Sequence, residues 1–192
     1  MTLETQRQLE AVSVDRLFID RWSPRSFSPE PLSEDEINTL FEAARWAPSS
    51  GNSQPWHFYY ATEGPGRKLF NSMLNESNRR WAPNAPRMMY VVARTVAEDG
   101  RVRGTASFDT GAAWMSLALQ ARLMGLYAHA MGGIQRDRVY EVLGLSKNHF
   151  DVVCGVAVGR HAGTGQLPED LQERERPSAR NPIDKIASNW QL

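Results

Sequence analysis

Two arginines and two serines share the six-residue stretch RWSPRS at 21–26. In an extended chain successive side chains alternate, so Arg21, Ser23 and Arg25 point to one side. Two guanidinium groups flanking a hydroxyl suit a phosphate and a neighbouring carbonyl, because arginine offers several planar donors. The alternative interpretation is a surface turn with solvated arginines, since short basic motifs recur by chance.

A second polar stretch, PSSGNSQPWHF at 48–58, follows a predicted helix and precedes a predicted strand. Pro55 disfavours helical geometry at Gln54, and Gly51 permits a positive φ. The loop thus offers hydroxyls, amides and backbone groups in a fixed shape, which suits the polar edge of a planar ring. A turn that only ends the helix is the competing interpretation.

Weaker signals lie further along the chain. Gly132 and Gly133 follow a predicted strand, where they let the backbone approach a ligand or form an ordinary turn. Their spacing is not the GxGxxG pattern of a Rossmann fold. Arg174, Arg176 and Arg180 alternate with glutamates near the C-terminus and, taken alone, indicate a solvated segment.

Several other functions are disfavoured by the sequence. Ser49, Ser50 and His57 are near one another, but no GxSxG element of a serine hydrolase is present. His129 is expected to be a core or supporting residue, and Cys154 a buried, inert thiol. The single cysteine and the spacing of the four histidines give no zinc motif, so no metal site is predicted.

The charge balance and hydropathy of the chain exclude further classes. The 22 basic and 22 acidic residues cancel, which argues against a dedicated nucleic-acid partner. No apolar run is long enough to span a membrane. The N-terminal stretch lacks a basic region followed by an apolar one, so a cytoplasmic protein is expected.

The elements that must position these residues mix without strict alternation, which favours an α+β fold. A capping box at Ser33–Glu36 begins a helix that ends at Pro48. Further helices are predicted at 66–78, from near Asp109 to Gly125 and at 136–143, and strands at 56–62, 88–93, 126–131 and 151–158. The Asp109 helix is apolar on more than one face, which is typical of a domain centre or a subunit interface.

The chain resembles the nitroreductase family of FMN-dependent oxidoreductases in five segments: RWSPRSF at 21–27, AARWAPSSGNSQPWHF at 43–58, the Asp109 helix, AMGGI at 130–134 and AVGR at 157–160. ARNP at 179–182 matches more weakly. The resemblance implies one nitroreductase-like domain over 1–192, with a central antiparallel sheet flanked by helices. It also implies a domain-swapped homodimer, in which a segment from about 162 to 192 extends over the partner and FMN lies between the subunits.

The resemblance also implies which residues bind FMN. Arg21 and Ser23, with Trp22 between them, are expected at the phosphate, and Arg180 completes that subsite. Arg25 is expected at the ribityl chain or the O2 side of the ring. Four residues of the partner subunit are expected to contact the flavin: Pro48, Ser49, Ser50 and Asn52. The N5 edge is expected to face Met131, Gly132 and Gly133.

The implied activity is hydride transfer from NAD(P)H through flavin N5 to a nitroaromatic, a quinone or a similar small acceptor. Arg25 and Gly133 would tune or orient the ring, and no side chain is assigned as the catalyst. Alternatives are reductive dehalogenation or flavin fragmentation on the same scaffold, a flavin-binding protein without efficient turnover, and a module without cofactor. The sequence does not distinguish NADH from NADPH as the electron donor.

Two positions depart from the family pattern. Many members carry an acidic residue where Gly132 stands, so the shape of the substrate pocket is not predicted for this chain. Some carry a second cation at the position of Ser178, so that Arg174 or Arg176 is left to compensate.

Overall fold

A four-stranded antiparallel sheet forms the centre of the protein, in the strand order β1-β2-β4-β3. The structure is a computed structural model that describes residues 14–190. Its strands are β1 Trp56–Ala61, β2 Arg87–Arg94, β3 Tyr127–Met131 and β4 Phe150–Gly159. Every neighbouring pair is antiparallel, and the register of β2 on β4 shifts between Val91 and Val92. The predicted α+β fold with a central antiparallel sheet is therefore confirmed.

The sheet is buried on both faces, which separates the core into two layers. Along β2, Met88 and Tyr90 face one layer, whereas Met89 and Val91 face the other. This alternation follows from the two-residue period of a strand. Both faces of the sheet are therefore packed with apolar residues, and polar residues of a binding site are expected at its ends and in the connecting loops.

Helices flank this sheet on both sides. They are α1 Arg16–Asp20, α2 Glu34–Arg45, α3 Gly64–Ser72, α4 Glu76–Arg79, α5 Ala106–Leu123, α6 Arg136–Leu143 and α7 Glu169–Gln172. The predicted capping box of α2 is present: the Ser33 hydroxyl accepts from the Glu36 N–H, and the Glu36 carboxylate accepts from the Ser33 N–H.

Two helix predictions need correction. The single helix expected at 66–78 is divided into α3 and α4, because Leu74 leaves the helix to form a β-bridge with Ile134. Asn75 then begins α4 by accepting the Asn78 N–H at 3.1 Å. The long helix starts at Ala106, ahead of the predicted start near Asp109.

The long helix α5 has two apolar faces, as predicted. One face packs Ala113 and Leu117 against α2 and the sheet. Away from that core, Phe108 is 81% exposed and Leu123 is 67% exposed. This second apolar surface has no covering element within residues 14–190.

The C-terminal segment packs on its own chain more than the sequence indicates. Leu167 and Leu171 join the core, and Glu175 is almost completely buried. Only the later part fits the expected extension, because Ile186 and Trp190 are 74% and 84% exposed. Extension of the segment from about 162 over a partner subunit stays a prediction.

Two tryptophans differ in burial: Trp81 lies in the core, whereas Trp46 is 75% exposed and lies outside it. Cys154 is buried as predicted, and burial raises the pKa of its thiol to about 12, which disfavours the reactive thiolate. No helix within the described residues is long and apolar enough to span a bilayer.

Candidate functional site

The segment from Arg21 to Ser26 is extended, and its side chains alternate as predicted. Arg21, Ser23 and Arg25 are partly exposed, whereas the residues between them are buried. Trp22 makes edge-on ring contacts with Tyr127 and His161, at centroid distances of 5.9 and 5.4 Å. Burying this indole fixes the side of the segment on which the two guanidiniums lie.

Backbone pairing ties this segment to the end of β4. Phe27 forms an antiparallel bridge with His161. The Ser28 N–H donates to the Arg160 carbonyl at 2.8 Å, and the Ala162 N–H donates to the Ser26 carbonyl at 3.2 Å. The arginines are therefore presented from a paired, ordered backbone instead of a loose turn.

Glu175 anchors the same backbone from the C-terminal segment. Its carboxylate accepts the Arg25 N–H at 2.8 and 3.0 Å and the Ser26 N–H at 2.8 Å, and lies 3.5 Å from His161 Nε2. Burial acts to raise the pKa of Glu175, but the nearby His161 imidazole and the hydrogen bonds from the Ser26 and Arg25 N–H groups outweigh it and hold the pKa below its ordinary value. Glu175 is thus a buried anion that orders the arginine segment.

A cavity of about 320 Å³ lies between these two segments. Its lining residues are Arg21, Trp22, Ser23, Arg25, His129, Arg174, Arg176, Ser178 and Arg180. The structure thus brings together every predicted phosphate residue, and both Arg174 and Arg176 line the cavity as well. Ser178 supports Arg180, because its carbonyl and hydroxyl oxygens accept from Arg180 Nη1 at 3.1 and 3.0 Å.

The electrostatics of this cavity favour an anion. Burial lowers the pKa of Arg21, and Arg180 lowers it further. Burial also lowers the pKa of Arg25, where repulsion from Arg174 outweighs the opposing effect of Glu175. Guanidiniums that are partly desolvated and close to one another are stabilised by a bound anion. The donor set therefore fits a phosphate group such as that of FMN.

His129 forms part of the cavity wall as a neutral imidazole. Burial lowers its pKa to about 4, and the hydrogen bond to Pro24 only partly opposes this. Its Nδ1 lies 2.7 Å from the Pro24 carbonyl oxygen, which can only accept, so Nδ1–H donates and Nε2 is left as an acceptor. The ring also packs on Trp81, with centroids 4.6 Å apart.

The glycine turn follows His129 on the same strand. Met131 lies two residues further along β3, about 7 Å away, and Gly132 and Gly133 leave the strand there. The Gly133 carbonyl accepts from the Asn75 N–H at 3.1 Å and from Asn78 Nδ2 at 2.9 Å. A ligand that contacts both the arginine cavity and this turn must be elongated.

The polar loop at 48–54 lies elsewhere and does not line the cavity. The Ser49 hydroxyl accepts the Gln54 N–H at 3.0 Å, and Gln54 Nε2 donates to the Asn52 side-chain oxygen at 3.0 Å. Gly51, Asn52 and Gln54 all have a positive φ. Gln54 therefore supports the loop, whereas the flavin contacts of Pro48, Ser49, Ser50 and Asn52 stay a prediction.

Asp109 connects this loop to α5. Its carboxylate accepts the Ser50 N–H at 3.2 Å and the Thr105 hydroxyl at 2.9 Å, and its side chain is buried. This buried acid holds the loop in its left-handed conformation, a geometry that costs free energy at a residue with a side chain such as Asn52.

Two other chemistries find no support among residues 14–190. Neither Ser49 nor Ser50 forms a hydrogen bond with His57 there, and His57 instead packs on Tyr59. Within the same range, no cluster of three or more histidine, cysteine, aspartate or glutamate side chains is arranged to hold a metal.

Four supporting residues are missing from the sequence prediction: Asn75, Asn78, Asp109 as an acceptor, and Glu175. Asp109 carried a signal, because a carboxylate in the first turn of a helix is a candidate for capping. Glu175 carried none, since acids in a mixed-charge segment normally face solvent.

Comparison with known proteins agrees with this geometry. The model of the Nitroreductase family matches residues 19–160. A crystal structure of an oxidoreductase containing FMN is 43% identical, with a TM-score of 0.92, and the match covers 100% of this chain and 98% of that one. The CLA biosynthesis enone reductase of Lactiplantibacillus plantarum is 25% identical, over 76% of this chain and 84% of its own.

A solved structure of an enone reductase of gut-bacterial fatty acid saturation shares the fold, with a TM-score of 0.71 at 21% identity over 92% of this chain and 96% of that chain. The fold and the arginine cavity thus define an FMN-type oxidoreductase. The chain belongs to the nitroreductase family, whose members are NAD(P)H-dependent oxidoreductases that use FMN.

Proposed function

We propose that this chain binds FMN with its phosphate in the arginine cavity and its ring toward the Gly132–Gly133 turn. The observation that carries the proposal is the convergence of five guanidiniums from two distant segments on one cavity, while the acid between them, Glu175, is turned onto backbone N–H groups. A cavity with this charge requires an anionic ligand.

The residues of this chain divide the binding task. Arg21, Ser23 and Arg180 hold the phosphate, and Arg25 reaches the ribityl chain or the O2 side of the ring. When bound, FMN supplies the centre through which a hydride passes from NAD(P)H to a nitroaromatic, a quinone or a similar small acceptor. Because that chemistry resides in the cofactor, the side chains bind and orient, and none acts as a nucleophile.

Backbone groups complete the orientation of the ring. Gly133 is fixed by Asn75 and Asn78, so the N–H groups of the turn are preorganised toward the N5 edge. Arg25 places positive charge where negative charge accumulates on reduction. Pro48, Ser49, Ser50 and Asn52 contribute from the partner subunit, which accounts for their absence from the cavity of one chain.

A homodimer is part of this proposal. Phe108 and Leu123 on α5, and Ile186 and Trp190 near the C-terminus, expose large apolar surface. Exposed apolar side chains of this size are typical of protein interfaces. The second face of α5 packs on the partner, and the part of the C-terminal segment that follows Arg180 extends over it.

The dimer has its own test. Phe108→Glu places a charge on a side chain that is 81% exposed, so the fold of one subunit is unaffected while the interface is disrupted. Light scattering after size exclusion is expected to give a dimer for the wild type and a monomer for the variant. A wild type that is monomeric at micromolar concentration contradicts the proposal.

The function is tested first by the absorbance spectrum of the purified protein. We expect flavin bands that bleach on anaerobic addition of NADH or NADPH, and reoxidation by a quinone or a nitroaromatic. A protein that binds FMN but bleaches with neither nucleotide is a flavin binder without turnover. A colourless protein that takes up no added FMN contradicts the proposed function.

The acceptor is tested in the same assay. An α,β-unsaturated ketone is included because the relative from Lactiplantibacillus plantarum is an enone reductase. The acceptor that reoxidises the bound flavin fastest identifies the substrate class, and the ratio of the rates with NADH and NADPH identifies the donor.

A further inference from the structure

The side chains that line the arginine cavity are mostly hydrogen-bond donors. Guanidiniums and the indole of Trp22 donate and cannot accept. The two serine hydroxyls can do either, and that of Ser178 already accepts from Arg180 Nη1 at 3.0 Å. Among the lining residues that the structure describes, only His129 presents a side-chain atom that accepts and cannot donate. An anion satisfies the donors, whereas a ligand that also carries hydroxyl groups needs such an acceptor.

The contact with Pro24 fixes which nitrogen of His129 is the acceptor. Nδ1 lies 2.7 Å from the Pro24 carbonyl oxygen, so this nitrogen carries the ring proton. Burial lowers the pKa of the imidazole to about 4, which keeps the ring neutral at physiological pH. The lone pair is therefore on Nε2.

This Nε2 lone pair is unused and can be reached from the cavity. No group between residues 14 and 190 donates a hydrogen bond to it. His129 lines the cavity, and its Nε2 is not fully buried, in contrast to Nε2 of His161. An acceptor left unpaired in a partly desolvated site costs free energy, so a donor on the ligand is favoured at this position.

His129 lies between the two ends of the proposed FMN site. Its Nδ1 contacts Pro24, which separates Ser23 from Arg25 in the arginine segment. Along β3 it is about 7 Å from Met131, where the glycine turn begins. The chain that joins the phosphate to the ring must pass between these ends, and in FMN that chain is ribityl, with a row of secondary hydroxyl groups.

We propose that His129 Nε2 accepts a hydrogen bond from a ribityl hydroxyl of FMN, which makes the cavity selective for a hydroxylated phosphate ester over one with an apolar chain. The inference rests on the proposed function. The arginines hold the phosphate of either ligand equally, so the discrimination falls to the acceptor. His129 is a binding residue and takes no part in hydride transfer.

The test compares FMN with an analogue that keeps the ring and the phosphate but has a pentyl chain without hydroxyls. Fluorescence titration of the flavin-free protein gives both dissociation constants. His129→Asn keeps a donor for the Pro24 carbonyl and has no atom at the position of Nε2. It is expected to weaken FMN about tenfold and to leave the analogue unchanged, so that the preference of the wild type for FMN falls by the same factor.

Two further variants separate recognition of the hydroxyl from support of the arginine segment. His129→Phe removes the bond to Pro24 as well, so it is expected to weaken both ligands in addition to losing the preference. His149→Asn makes the same change at an exposed histidine that does not line the cavity, and is expected to alter neither constant.

Nitrogen NMR of labelled histidine adds a readout that is independent of turnover. In the flavin-free wild type, His129 Nε2 is expected to resonate as an unprotonated nitrogen. FMN is expected to shift it toward the protonated position, and the analogue to shift it less, although both ligands carry the same ring.

The outcomes are distinct. A wild type without preference for FMN overturns the acceptor role, as does an equal change for both ligands in His129→Asn, which would make His129 a support of the arginine segment alone. A wild type that binds neither flavin overturns the proposed function itself. A preference for FMN in the wild type that is lost in His129→Asn and kept in His149→Asn supports both.

Discussion

Both carboxylate oxygens of Glu175 accept hydrogen bonds from the backbone N–H of Arg25, at 2.8 and 3.0 Å. The two residues are 150 positions apart in the sequence. Through this contact the C-terminal segment fixes the backbone that presents the cavity arginines. The C-terminal segment is thereby tied to the cavity that its own arginines line.

Loss of the Glu175 charge is expected to loosen this backbone. Glu175→Gln leaves one acceptor oxygen and directs an amide against N–H donors, so the free energy of unfolding should fall by about 1.5–3 kcal/mol. The affinity for FMN should fall as well. Denaturant unfolding and flavin-fluorescence titration measure the two effects. Glu173→Gln, at an exposed neighbour, is the control; equal unfolding free energies for the two variants would contradict the role of Glu175.

Stability of the FMN-free protein is expected to depend on the protonation of His129. Its pKa in the folded chain is about 4, below the ordinary value of 6.5. The unfolded chain therefore binds this proton first as the pH falls. The stabilisation that the uncharged imidazole contributes is fully present above about pH 6.5, and about 3 kcal/mol of it is lost by pH 4.

His129→Asn isolates this contribution, because the Asn amide retains a donor for the Pro24 carbonyl and does not titrate. Urea unfolding between pH 7 and 4 is the measurement, and the loss should be steeper in the wild type than in the variant. Parallel curves for the two proteins mean that the imidazole is not held neutral as described.

The Asp109 contact predicts a local effect on the loop at 48–54. Asp109→Ala removes the acceptor of the Ser50 N–H, so hydrogen exchange at that amide should accelerate and the unfolding free energy should fall by about 1 kcal/mol. Asp109→Asn keeps one acceptor oxygen, so its exchange rate at Ser50 and its unfolding free energy should lie between those of Asp109→Ala and the wild type. Unchanged exchange at Ser50 in Asp109→Ala would show that the loop does not depend on this bond.

The two glycines of the turn provide a matched pair of substitutions. A Cβ at Gly133 would lie 2.5 Å from Asn75 Nδ2 and 2.7 Å from Asn78 Nδ2, whereas a Cβ at Gly132 has no neighbour within 4 Å. Gly133→Ala must displace Asn78 from its hydrogen bond and should cost about 1–3 kcal/mol. Gly132→Ala should be within about 0.5 kcal/mol of the wild type. The measurements are thermal unfolding and the flavin absorbance spectrum of each variant. Equal stability of the two variants would contradict the constraint that Asn75 and Asn78 place on Gly133.

The arginine segment was predictable because its geometry is local. Alternation in an extended chain is a property of Arg21, Ser23 and Arg25 alone, and burial of Trp22 preserves it. Strand positions were predictable for the same reason: the apolar runs match the burial of β2 and β4.

The remaining features depend on contacts between distant residues. In the sequence, Glu175 is one acid of a mixed-charge tail, whereas in the fold it is buried and bonded to Arg25, 150 positions away. The break between α3 and α4 likewise results from the pairing of Leu74 with Ile134, which no local pattern shows. Helical periodicity continued across this break, so the sequence predicted one helix.

The unequal space around Gly132 and Gly133 has a consequence for how this protein can diverge. Gly132 has no positive φ and faces open space, so any side chain can be accepted there without moving the backbone. Gly133 is constrained by two asparagine amides and tolerates no such change. Position 132 is therefore a point at which descendants of this chain can acquire a new acidic, polar or bulky group, which the proposed function places beside the flavin. New substrate preferences can arise there while the cofactor site is inherited intact.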